Sequence, residues 1–568
     1  MADKNGHHAI IEQFLADGFD RMFGNPGTVE QGFLDALADY PQLKYILTLQ
    51  ESVAVLMADG YARARQKPAL VQLHSSPGIG NGVGALYQAK RGHSPLVVIG
   101  GDSGIRYQAM DAQMAADLVA MMEPVTKWST MVQHPSSLLR TLRRAVKIAS
   151  TPPMGPVYVC VPQDILDATV VEPVRPASLP STRVLPDDAL LKEAAQILAS
   201  GKTPTIYIGD GIAFSGAQKE LERVAELLGA PVWEADAGEV NISYRHPAYM
   251  GMTGHMFGTH SLPILQSGDV NLVCGTYLLP EVFPELGDIF SPDAKVVHID
   301  LNLYEIAKNH PVDLGMLGDP KLSLARLAEH LEAILTDEQR ATAAKRLEDL
   351  EAARDERVLE QDEKDNAKVD DVPVSMARFV KELVAHLPED AIIFDEALTN
   401  SPPVSRWFAP QKTGDYFVTR GGSLGVGFPS AVGVSLANPG RTVIGFSGDG
   451  GSMYTIQALW TAARHNVPTK FVVCNNGSYR LLQLNIDEFW KEGGHEKRDY
   501  PLSFDLSQPP IQFHEMARAM GVQSLRVDKP WDITAAIEQM LAHPGPFLLD
   551  LVVAGNTHPE RVGNTCGQ

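Results

Sequence analysis

The stretch that most constrains this chain is residues 444–479, IGFSGDGGSMYTIQALWTAARHNVPTKFVVCNNGSY. An apolar run meets Gly448-Asp449-Gly450-Gly451, a helical pattern predicted over Ser452–His465 follows, and a second apolar run ends in Asn475-Asn476-Gly477-Ser478. Asp449 and Asn476 are 476 − 449 = 27 positions apart, each at a strand end. Neighbouring parallel strands would place them together at the carboxyl edge of a sheet, where open α/β folds bind ligands. A carboxylate and an amide oxygen suit Mg²⁺, a hard cation usually shared with substrate phosphates. Gly448, Gly450, Gly451 and Ser452 would bring backbone N–H groups to a phosphate at the start of the helix.

Apolar runs and helical patterns alternate along most of the 568 residues. Strands are predicted at Asp20–Gly24, Lys44–Thr48, Ala69–Leu73, Leu96–Gly100 and Val157–Val161, with helices at Glu51–Gln66 and Gly82–Arg91 between them. This alternation implies parallel sheets covered by helices. Composition shifts divide the chain into units at 1–171 and 187–335, a charged helical linker at 336–371, a third unit at 372–554 and a polar tail at 555–568. The turn Gly209-Asp210-Gly211 lacks a full dinucleotide fingerprint and reads as packing glycines. A net charge of −21 argues against broad nucleic-acid or anionic-membrane binding. No apolar run reaches a membrane span and no secretory core opens the chain, so a cytoplasmic location is expected. The four cysteines have no paired spacing; Cys160, Cys274 and Cys474 read as buried thiols.

The Gly-Asp-Gly…Asn-Asn pattern resembles the thiamine diphosphate (ThDP) binding motif, and further matches lie upstream. The resemblance implies a pyruvate decarboxylase-like fold of three α/β domains: pyrimidine-binding, central and diphosphate-binding. It implies that Asp449, the Asn476 side chain and the Ser478 carbonyl hold Mg²⁺ on the diphosphate. Glu51, in Leu49-Gln50-Glu51-Ser52, would bond the pyrimidine ring and control the proton exchange that activates the thiazolium carbon. The cofactor supplies carbanion and electron-sink chemistry; the protein supplies geometry and proton control. In FVTRGGSLGVG, at 417–427, Leu424 would wedge between the cofactor rings and the Gly422 carbonyl would accept from the pyrimidine amino group. Thr399 and Asn400 are candidate diphosphate contacts. In relatives the pyrimidine and diphosphate sites come from different subunits, so at least a homodimer is implied, and a homotetramer is common.

FGNPGTVEQGFLDAL at 23–37 and LHSSPGIGNGVGALYQA at 73–89 closely resemble benzoylformate decarboxylases. Thr28 and His74 fall where that branch has a catalytic hydroxyl residue, usually Ser, and a histidine. The branch also has a second catalytic histidine in its central domain; here Val282 falls near that position, with His255 and His260 nearby in sequence. SYRLLQLNIDEFWKEGGHEKRDYP, at 478–501, is longer and more polar than in that branch. Tyr479, Leu482 and Asn485 are expected on the substrate side, Tyr479 also beside the cofactor. Asp487, Glu488 or Glu492 is either a proton shuttle there or part of a charged surface helix.

These features imply non-oxidative making or breaking of a carbon–carbon bond beside a carbonyl. The substrate would be a 2-oxo acid in the decarboxylase or carboligase reading. It would be a 2-hydroxyacyl-CoA in the lyase reading, with residues 555–568 as a lid or a frayed end. A non-catalytic ThDP-binding regulator is the third class.

Overall fold

The computed structural model describes residues 4–554. Three six-stranded sheets carry the fold, and every strand pair within them is parallel. The first runs Lys44–Leu47, Arg21–Gly24, Ala69–His74, Leu96–Asp102, Val157–Pro162, Trp128–Met131. The third runs Tyr416–Val418, Ile392–Glu396, Val443–Gly448, Lys470–Asn475, Phe547–Val552, Gln523–Val527. Both follow the chain order 2-1-3-4-6-5. The central sheet, from Pro204–Ile208 to Leu314–Leu317, has the order 3-2-1-4-5-6. In each sheet the chain steps one way from its first strand and later the other way, opening a crevice at the strands' carboxyl ends.

Strands covered on both faces need apolar side chains on both, hence continuous runs such as Phe471-Val472-Val473-Cys474. The Phe547–Val552 strand interrupts its run with Asp550, which is fully buried. Asn475 and Arg526 donate to that carboxylate at 2.9 and 3.1 Å, and the His514 ring lies 3.0 Å away. Three partners offset the cost of burying the charge.

The outer units are clamped together within one chain. Helix Glu51–Arg65 crosses helix Gly427–Ala437 so closely that a Cβ on Gly60 would collide with the Ser430 carbonyl. A Cβ on Gly433 would likewise collide with that of Met57. Because the obstacle is backbone, Gly60→Val is expected to destabilise by about 3 kcal/mol, visible as a lowered thermal midpoint. Buried Arg63 ties in the central unit: its Nε donates to Glu239 at 2.8 Å, and its guanidinium also donates to the carbonyls of Gly238 and Val418.

Two helices differ from the sequence expectation. The one predicted from Gly82 starts at Ser75, because Pro77 is tolerated in a first turn and Gly78 and Gly82 allow close packing. The one predicted over Ser452–His465 is broken into Asp449–Ser452 and Ala458–Arg464. Between them the Thr455 hydroxyl donates to the Gly425 carbonyl at 2.5 Å, drawing the chain toward the neighbouring loop.

The charged segment forms the 30-residue helix Asp337–Asn366, capped by Thr336 and Gln339, with only Ala343 buried. The Gly209–Gly211 turn packs against the central sheet's neighbouring strand end: a Cβ on Gly211 would lie 2.5 Å from the Gly275 Cα. Cys160, Cys274 and Cys474 are buried and unbridged. Among the described residues no helix is long and apolar enough to cross a membrane. The polar tail at 555–568 lies outside the described residues.

Candidate active site

Strand Val443–Gly448 pairs with Lys470–Asn475, Gly448 opposite Cys474, so Asp449 and Asn476 leave adjacent strands side by side. Asp449 is buried and accepts backbone N–H groups on both oxygens: Gly450 at 2.8 Å on one, Gly477 at 2.6 Å and Asn476 at 3.1 Å on the other. Burial pushes this carboxyl up, and the N–H donors pull it back. The Asn476 side-chain oxygen accepts from the N–H of Ser478 at 2.9 Å. These contacts fold 476–478 into a tight turn around the carboxylate.

A cavity of about 290 Å³ opens over this turn. Thr399, Asn400, Leu424, Gly448, Gly450, Gly451, Ser478 and Tyr479 line it together with Asp449 and Asn476. The Tyr479 ring lies so close to Gly450 that no larger residue fits there. Gly448, by contrast, faces open space. Ser452 lies beneath, its hydroxyl donating to the Asp449 carbonyl at 3.0 Å. Among the described residues no group of three or more His, Cys, Asp or Glu could hold a metal ion. One carboxylate and one amide oxygen fit a cation that takes its remaining oxygens from a phosphate and water, as Mg²⁺ does.

Gly422 lies on the rim of a second cavity beside the cradle, with Glu396, His255, Glu281 and Val282. Val282 is 59 % exposed, and its N–H points to the His255 carbonyl at 3.4 Å. His255 and Val282 thus lie side by side on this rim.

The remaining candidates sit at the carboxyl edge of the first sheet. Glu51 opens its helix half-buried and accepts from Asn81 at 3.0 Å. A Cβ on Gly78 would lie 3.1 Å from Glu51 Oε1 and 3.3 Å from the His74 Cβ, so the two side chains flank one spot. Thr28 is exposed on the loop after Arg21–Gly24, next to Gly27, whose missing side chain makes room for the His74 ring.

Sequence reasoning missed Glu30. It is 4 % exposed and lies 2.9 Å from His74 Nδ1, while its other oxygen accepts from Gly101 N at 3.2 Å. Burial pushes the Glu30 carboxyl up, and His74 pulls it back down. No local pattern could reveal a pairing 44 positions apart. Glu30→Ala is expected to cut turnover roughly tenfold, the worth of a charged hydrogen bond, with cofactor affinity unchanged by calorimetry.

The acidic stretch after the Asn pair forms helix Arg480–Glu492, whose first residues, Arg480 to Leu482, line the cradle cavity. Asp487 pairs with Lys497 and Tyr500, and Glu488 with Lys491. Glu492 is exposed at the far end, about 20 Å along the axis from Tyr479 at 1.5 Å per residue. The structure does not bring it to the cradle.

Family models described as thiamine pyrophosphate enzyme match three parts of the chain. They are the N-terminal TPP binding domain over 4–121, the central domain over 191–327 and the C-terminal TPP binding domain over 402–551. The chain is 32 % identical to benzoylformate decarboxylase of Pseudomonas aeruginosa over 555 residues, covering 96 % of this chain and 98 % of that protein. It is 28 % identical over 582 residues to acetolactate synthase 2, chloroplastic, of Nicotiana tabacum, covering 98 % of this chain and 83 % of that one. Among solved structures, a ThDP-dependent 4-hydroxybenzoylformate decarboxylase of Rhodococcus jostii RHA1 superposes with a TM-score of 0.82 at 26 % identity. That match covers 97 % of this chain and 99 % of the other. With all three domain models matched and the motif residues gathered at one sheet edge, the chain belongs to the thiamine pyrophosphate enzyme family.

Proposed function

We propose that this protein is a benzoylformate decarboxylase-like enzyme, cleaving or forming the carbon–carbon bond beside the carbonyl of a 2-oxo acid without net oxidation. The observation that carries this reading is the pair of side chains, Glu51 and His74, flanking Gly78 at one sheet edge. When bound, ThDP supplies a nucleophilic carbon and an electron sink. Asp449, the Asn476 amide oxygen and the Ser478 carbonyl would hold Mg²⁺ and, through it, the diphosphate. The glycine turn at 448–451 would border the phosphate, with Thr399, Asn400 and Tyr479 lining the same cavity. Leu424 and the Gly422 carbonyl would set the rings. Glu51 would be the group that exchanges a proton with the pyrimidine. His74, held by Glu30, orients the substrate carboxylate and moves a proton, with Thr28 beside it.

Two protomers complete each site in this reading, Glu51 of one facing the cradle of the other, so the working form is a homodimer or a homotetramer built from such pairs.

The second reading is a 2-hydroxyacyl-CoA lyase, which releases formyl-CoA and an aldehyde or ketone; a valine at 282 favours it. Incubating the ThDP- and Mg²⁺-loaded protein with benzoylformate and, separately, with a 2-hydroxyacyl-CoA separates the two. Carbon dioxide and benzaldehyde are expected from the first substrate. Aldehyde from the CoA ester alone would overturn the leading reading.

A further inference from the structure

The loop that carries Gly422 and Leu424 has little regular structure of its own. Gly422 and Gly425 both have positive φ, +72° and +84°, and the one close backbone bond, Gly422 N to the Arg420 carbonyl, spans two residues. Something outside the loop must fix its shape. At its start, Arg420 is buried against Asp210 at 3.0 Å and Asp236 at 3.3 Å, both in the central unit. At its end, the N–H groups of Gly425 and Gly427 donate to opposite oxygens of Glu396, at 2.6 and 2.7 Å. Ser447, two residues before Asp449, donates its hydroxyl to the same carboxyl at 3.0 Å.

Glu396 ends the first strand of the third sheet, opposite Ser447 in register, beside the crevice where the sheet reverses direction. It is 1 % exposed. A charge buried this deeply is costly unless its oxygens are satisfied, and a leucine would fill the space without that cost. What a carboxylate provides is two acceptor oxygens on one rigid plane. Here that plane joins the end of the cofactor loop to the strand that delivers Asp449. Burial pushes the Glu396 carboxyl up to about 7, countered by these donors.

We propose that Glu396 is a positioning residue. By clamping Gly425 and Gly427 to the strand that ends in Gly448, it sets the height of Leu424 and of the Gly422 carbonyl over the diphosphate cradle. The inference rests on ThDP occupying that cradle.

The test separates the two ends of the cofactor. Calorimetry measures affinity for ThDP and, in separate titrations, for inorganic pyrophosphate, both with Mg²⁺; circular dichroism and thermal melting monitor folding. In Glu396→Gln, one oxygen becomes an NH₂ group facing an N–H donor. ThDP affinity is expected to fall at least tenfold, and Mg²⁺-pyrophosphate affinity to stay within twofold. Proton exchange at the reactive carbon of saturating bound ThDP, followed by NMR, should slow at least tenfold. Ser447→Ala removes one donor and spares the loop amides; it should show the same split at about threefold and decides the matter if Glu396→Gln does not fold. Equal losses for both ligands, or no loss for either, would overturn the proposal. Failure of the unmodified protein to bind Mg²⁺-pyrophosphate would instead overturn the placement of the cofactor.

Discussion

Glu51→Gln is expected to leave ThDP affinity within about threefold and to slow proton exchange at the cofactor's reactive carbon by about 10²–10⁴-fold, the usual worth of a positioned acid–base group. Glutamine has almost the same shape as glutamate. It keeps the hydrogen-bonding contact with Asn81, now held at 3.0 Å, and the fit beside Gly78. What it loses is an exchangeable carboxyl proton. Glu51 also stands at the first turn of its helix, where a negative charge meets the positive end of the dipole. That interaction belongs to stability, worth about 0.5 kcal/mol, and is too small to account for a hundredfold change in exchange. Hydrogen–deuterium exchange of bound cofactor, quenched and read by NMR, checks the expectation. Unchanged exchange would remove Glu51 from the proton relay.

Asp449→Ala should act at the other end of the cofactor. The substitution strips one ligand from the cation and leaves the N–H groups of Gly450, Asn476 and Gly477 facing a void. Each N–H bonded to a charged acceptor contributes roughly 1.5–3 kcal/mol, so the 476–478 turn loses its shape along with its charge. Mg²⁺-dependent ThDP affinity is expected to fall at least about 100-fold, near 2.7 kcal/mol. Asp449→Asn is the informative companion. It keeps one acceptor oxygen but removes the charge, so it should retain part of the fold of the turn and still lose most of the cation dependence. Calorimetric titrations with and without Mg²⁺ distinguish the two contributions, and unaltered binding in the alanine variant would contradict the assignment.

The parts of the site that could be read from the sequence are those built by local geometry. Gly448-Asp449-Gly450 and Asn475-Asn476 announce themselves because parallel neighbouring strands must end together, as Gly448 and Cys474 do in register. Glu30 and Glu396 could not be read this way. Each looks like an ordinary acidic residue near a strand or turn, and each acquires its role from a partner far along the chain: His74 for one, Gly425 and Gly427 for the other. The break in the predicted Ser452–His465 helix has the same origin, since a contact from Thr455 to the Gly425 carbonyl outweighs local helix preference. Glu492 shows the reverse case. As a proton shuttle it would have to reach the cradle, but the regular helix Arg480–Glu492 puts it about 20 Å along the axis from Tyr479 at 1.5 Å per residue.

One calorimetric titration bears on the whole scheme: ThDP added to the purified protein, once with Mg²⁺ and once with a chelator in its place. Saturable uptake of one ThDP per chain with Mg²⁺, abolished by the chelator, is the expected result. A folded, Mg²⁺-supplied protein that takes up no ThDP would contradict it.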